Sequence, residues 1–153
     1  MEQSASTVPK QTGLSIREDL RKNPKPDGLF KIDADSILDF FKRYYIFLRP
    51  IVNLTDREID VIASFMKHRW LLYRRTPDID PSTLDILIMT DEIKDEVIKE
   101  SHLSKQHFYV VMSTLKKKGI LKNNIIEPKI IPNVAVDNSG VFKLMIVFKG
   151  DWQ

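Results

Sequence analysis

Residues 104–121, with the sequence SKQHFYVVMSTLKKKGIL, carry the clearest structural signal in the chain. Ser104 can cap a helix by accepting a hydrogen bond from a backbone N–H group of the first turn. Apolar side chains then recur at helical spacing, which predicts one buried face. These side chains are Phe108, Val111, Met112 and Leu115. Gly119 is placed to end the helix in a left-handed conformation, and Ile120 and Leu121 begin an extended segment. The stretch therefore predicts a helix, a glycine stop and a strand.

Length and composition set the class of the protein. The 153 residues are enough for one domain with a buried core. The net charge of +3 permits an anionic partner without requiring one. The absence of cysteine excludes disulfides and thiolate metal sites. No apolar run approaches the roughly 20 residues that span a bilayer, and the N-terminus lacks a signal peptide. We therefore expect a cytoplasmic protein that does not enter a membrane.

The first segment, residues 1–31, is rich in Ser, Thr, Pro, Gln and Lys, and we expect an extended tail or arm. One interpretation is a flexible terminus. The alternative is an arm whose apolar side chains bind a neighbouring subunit or nucleic acid. Those side chains are Leu14, Ile16, Leu20 and Phe30.

Residues 32–153 are predicted to form a single domain that begins with two helices. Asp33 or Asp35 opens an added helix over 33–49, which Pro50 is expected to end. Its strongly aromatic stripe belongs either to the core or to an oligomer interface. The capping-box sequence TDRE at 55–58 then begins a second helix, which continues to about residue 75.

The pattern after residue 75 alternates between extended and helical segments. Residues 86–89 form a short apolar run that predicts a strand, and residues 91–100 predict a helix. Two further strands are expected over 120–131 and 141–149, joined by a turn at 137–140. The prolines in the first of these strands require it to be an edge strand or to be interrupted.

This order of elements resembles the winged helix-turn-helix superfamily of bacterial and phage proteins, over residues 55–149. LTDRE at 54–58 is similar to the usual start of the first helix. EVIKESHLSKQHFYVVMSTLKKKGIL at 96–121 is similar to the helix–turn–helix and the entry into the wing. Two positions depart from the pattern. Such motifs usually carry a small residue at the position of Ile98 and a glycine at the position of His102. The resemblance implies an α+β fold: a winged helix-turn-helix with an extra N-terminal helix and an extended N-terminal tail.

The resemblance also implies that the second helix of the motif lies in the DNA major groove with its outward side chains against the bases. Gln106 can read adenine, and the lysines can bind phosphates. The same face can instead pack on protein. The candidates for DNA or partner contact are Gln106, Tyr109, Val110, Ser113, Lys116, Lys117, Lys118 and Lys122.

The charge distribution favours the protein alternative. Residues 76–100 contain eight acidic residues and two lysines, whereas residues 102–129 contain six lysines and one glutamate. Phosphates would repel an acidic helix beside the recognition helix, whose outward face also lacks arginine. Opposite charges on successive segments suit head-to-tail self-assembly, in which 76–100 of one subunit meets 102–129 of the next.

The sequence shows no glycine-rich phosphate loop, no metal-ligand spacing and no catalytic frame, so we expect a non-enzyme without cofactor or metal. Two hypotheses for its function remain open. The first is a DNA-binding module for double-stranded DNA in transcription or replication, in the cytoplasm of a bacterial host. The second is an oligomeric structural assembly protein, such as a phage virion ring or head–tail connector subunit. A homo-oligomer is expected to form through the N-terminal tail and helix 33–49.

Overall fold

The structure is a computed structural model that describes residues 32–133, 140 and 142–151. In these residues the helices are α1 (Ile37–Val52), α2 (Asp56–Arg75), α3 (Pro81–Leu87), α4 (Asp91–Glu100) and α5 (Lys105–Lys117). Strands β1 (Leu121–Lys122) and β2 (Ile125–Ile126) form an antiparallel hairpin, and a 3-10 turn follows at Pro128–Ile130. None of the described helices has the length and apolar character needed to cross a membrane. The tail predicted at 1–31 lies outside the described residues.

Helix α5 confirms the prediction made for its stretch. The hydroxyl of Ser104 accepts a hydrogen bond from the backbone N–H of His107 at 3.1 Å. Gly119 ends the helical segment with a φ of 76°, in the left-handed region. The predicted apolar face is buried. Its members are Phe108, Val111, Met112 and Leu115.

Helix α2 lies at the centre of the fold. Its capping box is confirmed, because the N–H of Thr55 donates to Glu58 Oε1 at 2.8 Å and the N–H of Glu58 donates to Thr55 Oγ1 at 3.2 Å. Every residue from 58 to 66 is buried except Asp60, which is half-buried. Helices α1, α3, α4 and α5 all pack against α2. A helix that is buried on nearly all sides is typical of the middle of a bundle.

The predicted limits of α1 are wrong at both ends. Ser36, rather than an aspartate, is the cap, since its hydroxyl accepts from the N–H of Asp39 at 3.0 Å. Pro50 lies inside the helix, which continues to Val52. Pro50 removes only its own N–H donor from the helix. The chain leaves the helix three residues later at Asn53, where φ is 57°.

The aromatic stripe of α1 is divided between core and surface. Phe41 and Tyr45 are buried, and the hydroxyl of Tyr45 donates to the carbonyl of Ile130 at 2.9 Å. This bond fixes the 3-10 turn against α1. Phe47 remains 45% exposed. The core interpretation is therefore confirmed only for the inner half of the stripe.

The strand predicted at 86–89 is wrong, because residues 86 and 87 complete helix α3 and the next two form a turn. Pro81 stands at the start of α3, where the lack of an N–H is harmless and φ is already helical. Leu84 and Ile88, four residues apart, are buried on one face. A short apolar run thus belongs to a helix end rather than to a strand.

The predicted α+β winged helix is also wrong. The described chain is mostly helical, and its sheet has two strands of two residues each. Asn123 and Asn124, with φ of 52° and 60°, reverse the chain directly after β1. Pro128 then starts a 3-10 turn, which ends pairing. Residues 142–151 form no strand, and 137–139 of the predicted turn lie outside the described residues.

Replacement of Gly119 tests how α5 ends. No atom lies within 4 Å of a Cβ placed on Gly119, so only its left-handed backbone opposes a side chain. We expect Gly119→Ala to lower the free energy of unfolding by about 1 kcal/mol in urea denaturation. Gly119→Asn should cost less, because asparagine tolerates this conformation. Equal stability of the alanine variant and the wild type would contradict this account.

Candidate functional site

The outward face of α5 is the surface for which the sequence predicts partner contact. It lies opposite the buried face described above. Tyr109 and Val110 are 44% and 54% exposed, which is unusual for adjacent large apolar side chains on a helix. Gln106 and Ser113 beside them are exposed as well. The face therefore combines an apolar centre with polar neighbours.

The predicted lysines divide into two groups. Lys116, Lys117 and Lys122 are exposed. Lys118 instead donates to Glu58 Oε1 at 2.6 Å and to the carbonyl of Asn53 at 2.7 Å. Its ammonium group thus joins the end of α5 to the start of α2. We therefore leave Lys118 out of the surface offered to a partner.

Glu58 is the buried charge at this joint, with only 2% of its surface exposed. Glu58 accepts hydrogen bonds from Lys118 and Thr55, and its Oε2 also accepts one from the hydroxyl of Thr114 at 2.7 Å. Burial raises the pKa of Glu58, but the hydrogen bonds from Lys118, Thr55 and Thr114 outweigh it and hold the pKa below its ordinary value. The bonds fix α5 in position on α2. Sequence reasoning found only the capping role of Glu58.

A second ionic cluster fixes α4 on α2. The carboxylate of Glu100 accepts hydrogen bonds from Lys67 and Ser64, and His68 Nε2 lies 3.5 Å from its Oε1. Burial raises the pKa of Glu100, but the bonds from Lys67 and Ser64 outweigh it and lower the pKa. Burial lowers the pKa of His68. The charges of Glu100 and Lys67 are thus paired within the fold.

The turn between α4 and α5 accommodates both departures from the helix-turn-helix pattern. His102 adopts a φ of 57°, the left-handed conformation for which such turns usually carry glycine. Ile98 is half-buried, and its carbonyl accepts from the N–H of Leu103 at 3.3 Å. The two helices are thus joined by a short, ordered turn, although Ile98 and His102 differ from the usual pattern.

The surface of α4 is negative, in contrast to that of α5. Four acidic side chains on it are exposed and form no salt bridge with another described residue. They are Asp91, Glu92, Asp95 and Glu96. The chain therefore presents an acidic helix followed at once by a helix with exposed lysines.

Three further stretches expose large apolar side chains. On α1, Ile51 is 71% exposed, and on α3, Ile86 is 63% exposed. Residues 144–148 expose five consecutive apolar side chains, up to 85% at Met145. Large exposed apolar patches often mark sites of protein interaction.

The fold also contains a cleft of about 420 Å³ between α1, α2, α3 and residues 128–133. Trp70 and Tyr73 form much of its wall. Its charged side chains pair with each other, since Arg69 Nε donates to Asp85 Oδ1 at 2.9 Å. Over the described residues, no group of three His, Asp or Glu side chains is arranged to hold a metal ion. The charges in the cleft therefore neutralise each other.

Comparison with known proteins adds no further guide to the function. No protein-family model matches the chain, and neither the curated proteins nor the solved structures include a match.

The Glu58 joint predicts a pH-dependent stability. Because the folded-state pKa of Glu58 is lowered, the carboxylate stabilises the fold above its unfolded-state pKa, and this contribution is lost as pH falls through the folded-state value. We expect Glu58→Gln to lower the free energy of unfolding by about 1–3 kcal/mol at neutral pH. Urea denaturation should show that the difference from wild type shrinks in acid. Glu92→Gln, at an exposed position, is the matched control, and an equal effect of both variants would contradict the assignment.

Proposed function

We propose that this protein is a non-enzymatic subunit of a homo-oligomeric structural assembly, of the kind that builds the rings and head–tail connectors of phage particles. One observation carries the proposal: the described surface exposes large apolar side chains on four separate stretches, which are α1, α3, α5 and residues 144–148. Single exposed apolar residues are common, but repeated clusters cost free energy in a chain that stays alone in water. Association of copies removes this surface from water.

On α1 the exposed apolar side chains continue a stripe that begins in the core. Phe40, Tyr44, Phe47 and Ile51 follow one another at spacings of four, three and four residues, so they lie on one side of the helix. Phe142 covers the first two, with ring centroids 5.2 Å from Phe40 and 5.9 Å from Tyr44. Phe47 and Ile51 continue the same stripe and are 45% and 71% exposed. The stripe thus extends from the core to the surface, as an interface does.

The charges indicate how copies meet. The acidic face of α4 repels the α4 of another copy, and the exposed lysines of α5 repel another α5. The favourable pairing brings α4 of one copy to α5 of the next. Such a contact joins two different surfaces, so each copy has one surface of each kind to offer. Repetition of that contact gives a ring when the rotation between copies closes, and a filament when it does not.

Binding of duplex DNA through α5 is the second candidate. It is supported by the exposed Lys116, Lys117 and Lys122 and by Gln106 at the start of the helix. The acidic side chains of α4, which a short turn joins to α5, repel the phosphates of an approaching duplex. The described residues form no wing that could make a second contact to the DNA backbone. For these reasons we place DNA binding below self-assembly.

A charge exchange tests the assembly directly. By light scattering after size-exclusion chromatography, we expect wild type to be a homo-oligomer. The variants Asp91→Lys/Asp95→Lys and Lys116→Glu/Lys117→Glu should each run as smaller species, because each then offers surfaces of like charge. An equimolar mixture should reassemble, since every contact again joins opposite charges.

Each variant alone is the control for the mixture, and circular dichroism should confirm that both remain folded. A wild-type monomer at high protein concentration would overturn the proposal.

Duplex binding tests the second candidate. We expect fluorescence anisotropy to detect only weak duplex binding at low salt, and to lose it at physiological ionic strength, as for a few non-specific lysine contacts. Site-specific binding that weakens in Gln106→Ala and Lys117→Ala, but not in the Lys129→Ala control, would establish DNA recognition instead.

A further inference from the structure

Residues 142–149, with the sequence FKLMIVFK, belong to no helix or strand, and their apolar side chains differ in exposure. Phe142 packs on α1, and Leu144 and Ile146 on the same side are 42% and 40% exposed. Met145 and Val147 on the other side are 85% and 77% exposed. Over 144–147 this alternation has the period of a β-strand, in which successive side chains point to opposite sides, and it ends at Phe148, which is 81% exposed. One side of the segment faces its own subunit, and the other is open.

The backbone of this segment is open as well. None of its N–H or C=O groups forms a backbone hydrogen bond with another described residue. Its residues are those that favour strands, and an apolar strand with free edges readily adds to another protein. Lys143 and Lys149 stand at its two ends, about 20 Å apart in an extended chain. The segment therefore offers an apolar centre between two positive charges.

A surface of matching chemistry lies at the junction of α3 and α4. Ile86 is 63% exposed and Leu87 is 37% exposed at the end of α3. Exposed acidic residues stand on both sides of this pair along the chain, with Asp80 before α3 and Asp91 and Glu92 at the start of α4. The junction is thus an apolar centre between negative charges, the counterpart of the 142–149 segment.

We propose that the 142–149 segment of one copy docks on the α3–α4 junction of a second copy. Both surfaces are exposed in the part of the subunit that the structure describes, so no described residue covers them. Met145 or Val147 would cover Ile86 and Leu87, and the lysines at the ends would meet the acidic side chains around the junction. This inference rests on the proposed self-assembly and names a second contact between copies, in addition to the pairing of α4 with α5.

Cysteine cross-linking tests this contact, because the natural chain contains no cysteine. Met145→Cys protein mixed with Ile86→Cys protein should form a disulfide-linked dimer under mild oxidation. Met145→Cys mixed with Ser113→Cys, an exposed position on α5, is the matched control and should not. Cross-linking of Met145→Cys to itself as the main product would overturn the proposal, because the segments would then pair with each other.

Substitutions supply an independent readout. Ile86→Lys and Val147→Lys should each weaken association at least about tenfold in sedimentation measurements, since a charge then enters the apolar centre. The conservative variants Ile86→Leu and Val147→Ile should retain association.

The two proposals fail in different ways. If wild type is oligomeric but lacks the 145–86 cross-link and both lysine variants keep its mass, this contact is wrong and the proposed function stands. If wild type is monomeric at every concentration, both proposals fall.

Discussion

The buried carboxylate of Glu58 determines how the helices of this protein are arranged. It accepts from Thr55 at the start of α2 and from Thr114 and Lys118 on α5. A charge removed from water is tolerated only when its hydrogen bonds are complete. The start of α2 and the end of α5 must therefore stay together. This constraint orients the exposed face of α5 relative to the bundle, and with it any surface that a partner meets.

The same physical device occurs again at the other side of α2. There Glu100 holds α4 through Lys67 and Ser64. Two buried or half-buried carboxylates thus fix two successive helices on one central helix, and each pairs with a lysine that is then not available to an anion. Among the exposed charges left on these two helices, acids predominate on α4 and lysines on α5.

Elements with local signals were predictable from the sequence, and elements decided by distant contacts were not. Caps and periodicity located α2 and α5, since those signals lie within a few residues of each helix end. One local signal was an exception: the left-handed asparagine pair at 123–124, which ends β1 after two residues, was not predicted. The partners of Glu58 were beyond reach, because Thr114 and Lys118 are 56 and 60 residues away. Which apolar side chains stay exposed also depends on how the helices pack, so the sequence alone does not show it.

The bond between the hydroxyl of Tyr45 and the carbonyl of Ile130 has a mechanical consequence. It clamps the chain to α1 just after the hairpin, and Phe142 touches the same helix further on. A force on the 142–149 segment would therefore act on α1 through the contacts of Phe142 with Phe40 and Tyr44.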